Sequence, residues 1–149
     1  SGGFGDGRGL VAALALGAEG INMGTRFCAT VEAPIHDNVK QAYVDNDERG
    51  SYLIFRSLKN TARVGKSAVS EEVVRRLAQP DATFADVAEL VNGKAGRELL
   101  ETGDLSKGVF WAGMVQGLIH DIPTCQQLID RIIADADAIV DQRLASLRR

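Results

Sequence analysis

Aromatic residues make up only 5% of this 149-residue chain, and it holds three prolines, two cysteines and two histidines. Each shortage excludes something. Cys28 and Cys125 have no metal-ligand spacing, so they suggest neither a zinc site nor a disulfide scaffold. They read as two reduced, half-buried thiols of a cytoplasmic protein. No charge of one sign dominates: 17 Lys and Arg stand against 20 Asp and Glu, a net charge of −3. With no basic run and no basic–aromatic patch, neither nucleic acid nor an anionic membrane surface is expected as a partner. Long hydrophobic runs are missing too. The longest nearly uncharged window, Leu10 to Ala18, is far too short to span a bilayer, and no secretory signal is visible. What is present is ordinary for one soluble globular domain: 45% apolar and 25% charged residues.

Most of the chain reads as helix. Residues 6–17 have a capping Asp6, an Ala/Leu-rich body and Gly17 to close them. Ile21 to Gly24 alternates as a short strand, residues 25–32 start another helix, and "DNVKQAYVDND" sets Val39, Ala42 and Tyr43 on one helical face. "SYLIFRSL" is a strand or extended segment. "SEEVVRRLAQ" starts at a capping Ser70, with Glu71 and Glu72 four residues before Arg75 and Arg76. "TFADVAELVNG" opens with a Thr83/Asp86 capping box and stops at Asn92-Gly93, and "KAGRELLETG" adds a short helix. The longest helix, from Thr124, begins with a Thr124/Gln127 box. Its stripe of Leu128, Ile132, Ala136, Ile139 and Leu144 reads as a docking face.

Glycine is the one small residue in excess at a single place. The opening "SGGFGDGRGL" carries five glycines in nine residues, although glycine is entropically costly to order. Two nucleotide motifs fail there and nearby. A G-x-G-x-x-G fingerprint counted from Gly3 and Gly5 needs glycine where Arg8 stands, and counted from Gly5 and Gly7 it needs glycine where Leu10 stands. The P-loop echo "VGKS" lacks its first glycine, because Asn60 occupies that position, so Gly65 to Ser67 reads as an exposed turn.

A different geometry fits. A helix launched from Gly2 to Gly5 runs outward for roughly 15 Å, turns at Gly17 to Gly20, and returns as the strand at Ile21. Strand and launching loop then share one rim, which brings Gly3 and Gly24 together despite their 21-residue separation. Two such loops beside a helix N-terminus are the phosphate site of many (β/α)8 barrels. Asp6 would repel a phosphate, so it should turn away and cap its helix. From spacing alone two readings stay open: a phosphate grip, or glycines that simply let the helix pack tightly.

The stretch "GGFGDGRGLVAALALGAEGINMGTRF" resembles the FMN-binding half-motif of the nitronate monooxygenase family, also called 2-nitropropane dioxygenases, whose superfamily includes flavin-dependent enoyl-ACP reductases. The match is sharp over residues 1–30, with Asn22 where the family commonly has Gln. It continues more weakly through "APIHDNVKQA" to "GLIHDIPTCQQLIDRI". The resemblance implies an α/β fold: the C-terminal part of a (β/α)8 TIM barrel, its last one to two β/α units, plus a mainly α-helical extension. It divides the chain into 1–33, the end of the FMN-binding barrel; 34–122, a helical extension with a short strand near 51–57; and 123–149, a C-terminal helix docking back on the barrel. It implies FMN as cofactor, with its phosphate held by Gly3, Asn22, Met23, Gly24 and Thr25. Arg26 reads as a surface or interface arginine.

The implied activity is a cytoplasmic flavoprotein monooxygenase that oxidises alkyl nitronates with O2. The alternatives are an enoyl reductase that uses NAD(P)H on an enoyl thioester, or a non-enzymatic helical interaction module. The partners are then a small-molecule substrate and O2 or NAD(P)H, and homo-oligomerisation is left open. No metal is expected. The family's catalytic histidine would lie upstream, so no catalytic residue is assigned here, and His36 and His120 read as surface or packing residues. In "FWAGMVQG" relatives often carry Gly-Gln where this chain has Gly113-Met114, with Gln116 two residues on. Trp111 and Met114 read as helix packing rather than flavin contacts. A full barrel needs roughly 200 residues or more, so the expectation is the C-terminal part of a longer enzyme, inactive in isolation.

Overall fold

The computed structural model describes residues 1–147. Helix α1 spans Gly7–Ala15; Asp6 caps it by accepting from the Gly9 N–H at 3.1 Å, and Gly17 ends the turn at φ +92. Ile21 to Gly24, expected as a strand, forms none: it has no ladder partners, and Gly24 already bends into the helical region at φ −91, ψ −70. A parallel strand needs neighbours to take up its backbone groups, and the described residues place none beside it. It is tied to the opening loop by the Gly2 N–H, which donates to the Asn22 carbonyl at 3.1 Å. The single turn α2 (Thr25–Cys28) and helix α3 (Asp37–Asp45) follow. As the periodicity predicts, Val39 and Tyr43 are buried on one face of α3, with Ala42 packed beside them.

In the middle of the chain the expected strand near 51–57 forms, together with a partner the sequence reading missed. Strands β1 (Ser51–Ile54) and β2 (Ala62–Gly65) form an antiparallel hairpin with Tyr52 opposite Val64. Gly65 is therefore a buried strand residue, not an exposed turn. A Cβ added to it would lie 2.1 Å from Phe110 Cζ. The segment at Val109 to Ala112 runs along the free edge of β2, bridging Val64 with Trp111, and the Gly65 N–H donates to the Phe110 carbonyl at 2.9 Å. Helix α4 (Ala68–Leu77) is capped by Ser67, not Ser70; Ser70 is the third helical residue of a Ser–Ser capping box, fully buried. The Thr83/Asp86 box forms, but it opens a 3-10 turn at Phe84–Asp86, followed by the short α5 (Ala88–Val91) rather than one helix. Asn92 ends α5 as expected, its amide donating to the Glu89 carbonyl at 2.9 Å, and its side-chain oxygen also caps α6 (Gly93–Thr102) by accepting from the Ala95 N–H at 2.8 Å.

A 3-10 segment, Met114–Leu118, leads to α7 (Cys125–Ala138), which opens with the expected Thr124/Gln127 box. Beyond Ala138 the helix widens to π geometry over Ile139–Leu144 and tightens to 3-10 over Ala145–Leu147. The stripe is buried through Leu128, Ile132 and Ala136 but fades after that, and Leu144 is exposed. The last two residues of the expected 123–149 segment lie outside the described ones. Two cores result. One joins the hairpin to α4 through Ile54, Val64, Val73 and Val109; the other joins α3 and α6 through Val39, Tyr43, Leu99 and Phe110. Val109 and Phe110 enter different cores because successive side chains of an extended segment point to opposite faces.

Candidate functional site

The five opening glycines divide into two groups. Gly5, Gly7 and Gly9 serve packing. A Cβ on Gly5 would meet Val115 Cγ2 at 2.8 Å, one on Gly9 would meet the Phe4 ring at 2.8 Å, and one on Gly7 would strike the backbone of α7 at Ala136 N and Ile132 O, both 2.7 Å away. Gly2 and Gly3 are the opposite case. Both are exposed, both hold φ near +80 (+78 and +79), and a Cβ on either meets nothing within 4 Å. Gly24, at the start of α2, is equally open.

Of the residues singled out for an FMN phosphate, the structure brings the first loop to the second through the Gly2–Asn22 bond. Among the described residues the backbone N–H groups of Gly3, Gly24 and Thr25 find no acceptor, so donors remain free on both loops. Asn22 is exposed and Met23 half-buried between them. Thr25 Oγ accepts from the Gly113 N–H at 2.9 Å, which anchors the second loop to the 3-10 segment and leaves its own hydroxyl proton to donate. Two loops rich in free N–H donors, with no side chain in the way, fit a phosphate group.

The charges near these loops are committed elsewhere. Asp6 turns away as expected. Partial burial pushes its carboxyl up, but the Arg8 guanidinium and the Gly9 N–H outweigh that and hold it below the ordinary carboxylate range. Arg26, expected at the surface or an interface, is buried. It donates to the carbonyls of Ala29 and Asp121, both at 3.0 Å, and pairs with the Asp121 carboxylate. Burial pushes its guanidinium down, against the opposing pull of Asp121. It is a clamp between α2 and the approach to α7. Lys40, which sequence reasoning passed over, is buried likewise and donates to the Val31 carbonyl at 3.0 Å.

His36 caps α3, its Nδ1 accepting from the Asn38 N–H at 3.1 Å, and His120 is exposed. Cys28 and Cys125 are free and half-buried, as expected. Trp111 and Met114 do not pack: they are 60% and 52% exposed, on the stretch that touches Thr25 and Gly5. Gln116 is the buried polar residue of that stretch, and neither end of its amide has a partner among the described residues. The sequence marks Gln116 by its place near the Gly113-Met114 departure but not its burial, because it sits inside a 3-10 turn with no helical or strand periodicity to read. No group of His, Cys, Asp and Glu that could hold a metal ion occurs among the described residues, and no helix there is long and apolar enough to cross a membrane.

The chain matches the model of the nitronate monooxygenase family over residues 1–135. It is 33% identical to the (3aS,4S,5R,7aS)-5-hydroxy-7a-methyl-1-oxo-octahydro-1H-indene-4-carboxyl-CoA dehydrogenase of Rhodococcus jostii, across 99% of this chain and 52% of that protein. It is 34% identical to the nitronate monooxygenase of Neurospora crassa, across 81% of this chain and 32% of that one. Among solved structures it resembles FabK of Thermotoga maritima at a TM-score of 0.86 and 32% identity, covering 97% of this chain and 45% of FabK. The chain thus spans about half the length, or less, of the relatives it matches. Its fold class is the one expected, α/β, with an architecture that corresponds to part of a barrel flavoenzyme. On the family match, the chain belongs to the nitronate monooxygenase family.

Proposed function

We propose that this chain supplies the phosphate grip of an FMN-dependent oxidoreductase that oxidises alkyl nitronates with O2. Gly3, Asn22, Met23, Gly24 and Thr25 hold the phosphate through backbone N–H groups and the Thr25 hydroxyl. Bound FMN would supply the redox chemistry; these residues bind and orient it. The observation that carries this reading is the pairing of two open glycine loops through the Gly2–Asn22 bond. Residues 1–33 are the barrel end, 34–122 the extension, and 123–149 the helix docked on α1. The whole protein works in the cytoplasm, and its histidine base lies outside this chain.

The likeness to FabK and to a CoA-ester dehydrogenase favours a second reading, a reductase or dehydrogenase of acyl thioesters that uses NAD(P)H. One experiment separates them. The purified full-length protein is assayed for O2 uptake with a nitronate and, separately, for NAD(P)H oxidation with an enoyl thioester. Flavin content is measured in the Gly3→Val, Gly24→Val double variant. Unchanged flavin in that variant, with a native melting curve, would falsify the phosphate assignment whichever substrate is used.

A further inference from the structure

A cavity of about 420 Å3 lies between α6, α3 and the edge segment, within the size range of small-ligand sites. One face of α6 forms a wall, with Gly93, Gly96, Arg97 and Leu100 spaced one, four, five and eight residues into the helix. Cys28, Tyr43 and Trp111 line the other side. Glycine inside a helix costs about 1 kcal/mol relative to alanine, and at Gly96 the packing gives no return for it; Gly93 opens the helix just after its cap. A Cβ on Gly93 meets nothing within 4 Å, and one on Gly96 meets only the Val109 carbonyl at 3.8 Å. The two glycines keep the space open.

Two of the polar side chains at this cavity are already engaged. Tyr43 donates its hydroxyl to the Trp111 carbonyl at 2.8 Å, and burial holds it protonated. The Asn92 amide is used at both ends, by the Ala95 N–H and the Glu89 carbonyl. Arg97 alone carries a charge at the cavity, and its exposed guanidinium makes no ion pair among the described residues. An apolar interior with one free cation at its mouth selects an apolar body bearing one acid group.

We propose that this cavity binds a medium-chain carboxylate, its alkyl chain lying along Gly96 and Leu100 toward Cys28 and its acid group on Arg97. This goes beyond the flavin reading and is tested through a thiol rather than through turnover. The full-length protein carrying Cys125→Ser is treated with N-ethylmaleimide, and alkylation of Cys28 is followed by mass spectrometry with and without decanoate. Decanoate is expected to slow alkylation saturably, by fivefold or more. Arg97→Ala should weaken that protection about tenfold, and Gly96→Leu should abolish it by filling the space. If Gly96→Leu melts early, Gly96→Ala keeps the test valid, because its methyl is accommodated, and it should weaken protection in part. Three results would overturn the proposal: no protection by decanoate, protection indifferent to both Arg97→Ala and the Gly96 variant, or a Cys28 that is unreactive without ligand because another part of the protein fills the cavity. Flavin absorbance recorded on the same samples keeps this outcome separate from that of the phosphate grip.

Discussion

The Gly2 N–H donates to the Asn22 carbonyl at 3.1 Å. Twenty residues and one helix separate the two, so the bond closes a loop–helix–loop unit at its open end. It places the launching and returning segments on one rim, as the spacing predicts. The opening glycines fall into two structural kinds. Gly2 and Gly3 are open and left-handed, whereas Gly5, Gly7 and Gly9 admit close neighbours.

Gly7 gives the first prediction. Its missing Cβ lets α1 lie against α7, and a methyl there would sit 2.6 Å from Asp135 Cβ and 2.7 Å from two backbone atoms that cannot rotate away. Gly7→Ala should therefore destabilise by about 1–3 kcal/mol, as overpacking does, despite alanine's higher helix propensity. Gly20→Ala, where a Cβ meets nothing, should change the melting temperature little. Equal melting of the two variants in denaturant titrations would remove the tight crossing.

Thr25 separates anchoring from binding. Thr25→Val deletes the acceptor for the Gly113 N–H and should cost about 1 kcal/mol. Thr25→Ser keeps it. If the hydroxyl also donates to the phosphate, the valine variant loses flavin affinity and the serine variant does not; dialysis against free FMN reads this directly.

Glu72 sets a pH window. Bonds from Arg75 and Arg76 pull its carboxyl down to about 2 from the usual 4.5. Because the folded value is depressed, the contribution is fully present above pH 4.5 and is lost as pH falls toward about 2. Glu72→Gln should melt below the parent at neutral pH, with the gap closing as the pH approaches 2. A gap that stays constant over that range would remove the linkage.

Legibility followed the range of the interaction. Caps made by local side chains were readable: Asp6 and the Thr124/Gln127 box stand where spacing puts them. The Ser67 cap was missed by three residues because two serines at that spacing satisfy each other, and the pattern alone does not say which comes first. Strand β2 was missed because its partners are remote: Ala-Arg-Val-Gly alternates weakly, and its burial is made by Phe110 from 45 positions on. The contact between the two loops was legible because glycine turns around a single helix are local signals. Arg26 was not, since nothing in its neighbourhood announces the carbonyl of Asp121.

Gly65 and Phe110 make that remote pairing testable. The tip of the Phe110 ring fills the space a Gly65 side chain would take, and the ring meets Tyr43 edge-on, with centroids 5.4 Å apart at 87°. A methyl on Gly65 would fall 2.1 Å from Cζ, so the ring must leave its place, and it is walled in by the second core. Gly65→Ala should destabilise strongly, by about 2–3 kcal/mol. Phe110→Leu alone should cost about as much through lost packing. The two defects share one space, so the double variant should be less destabilised than the sum, with a coupling of about 1 kcal/mol or more in a double-mutant cycle. Strict additivity would mean that the ring does not rest on the glycine, and the edge segment that carries Trp111 and the Thr25 anchor would then need another explanation for its position.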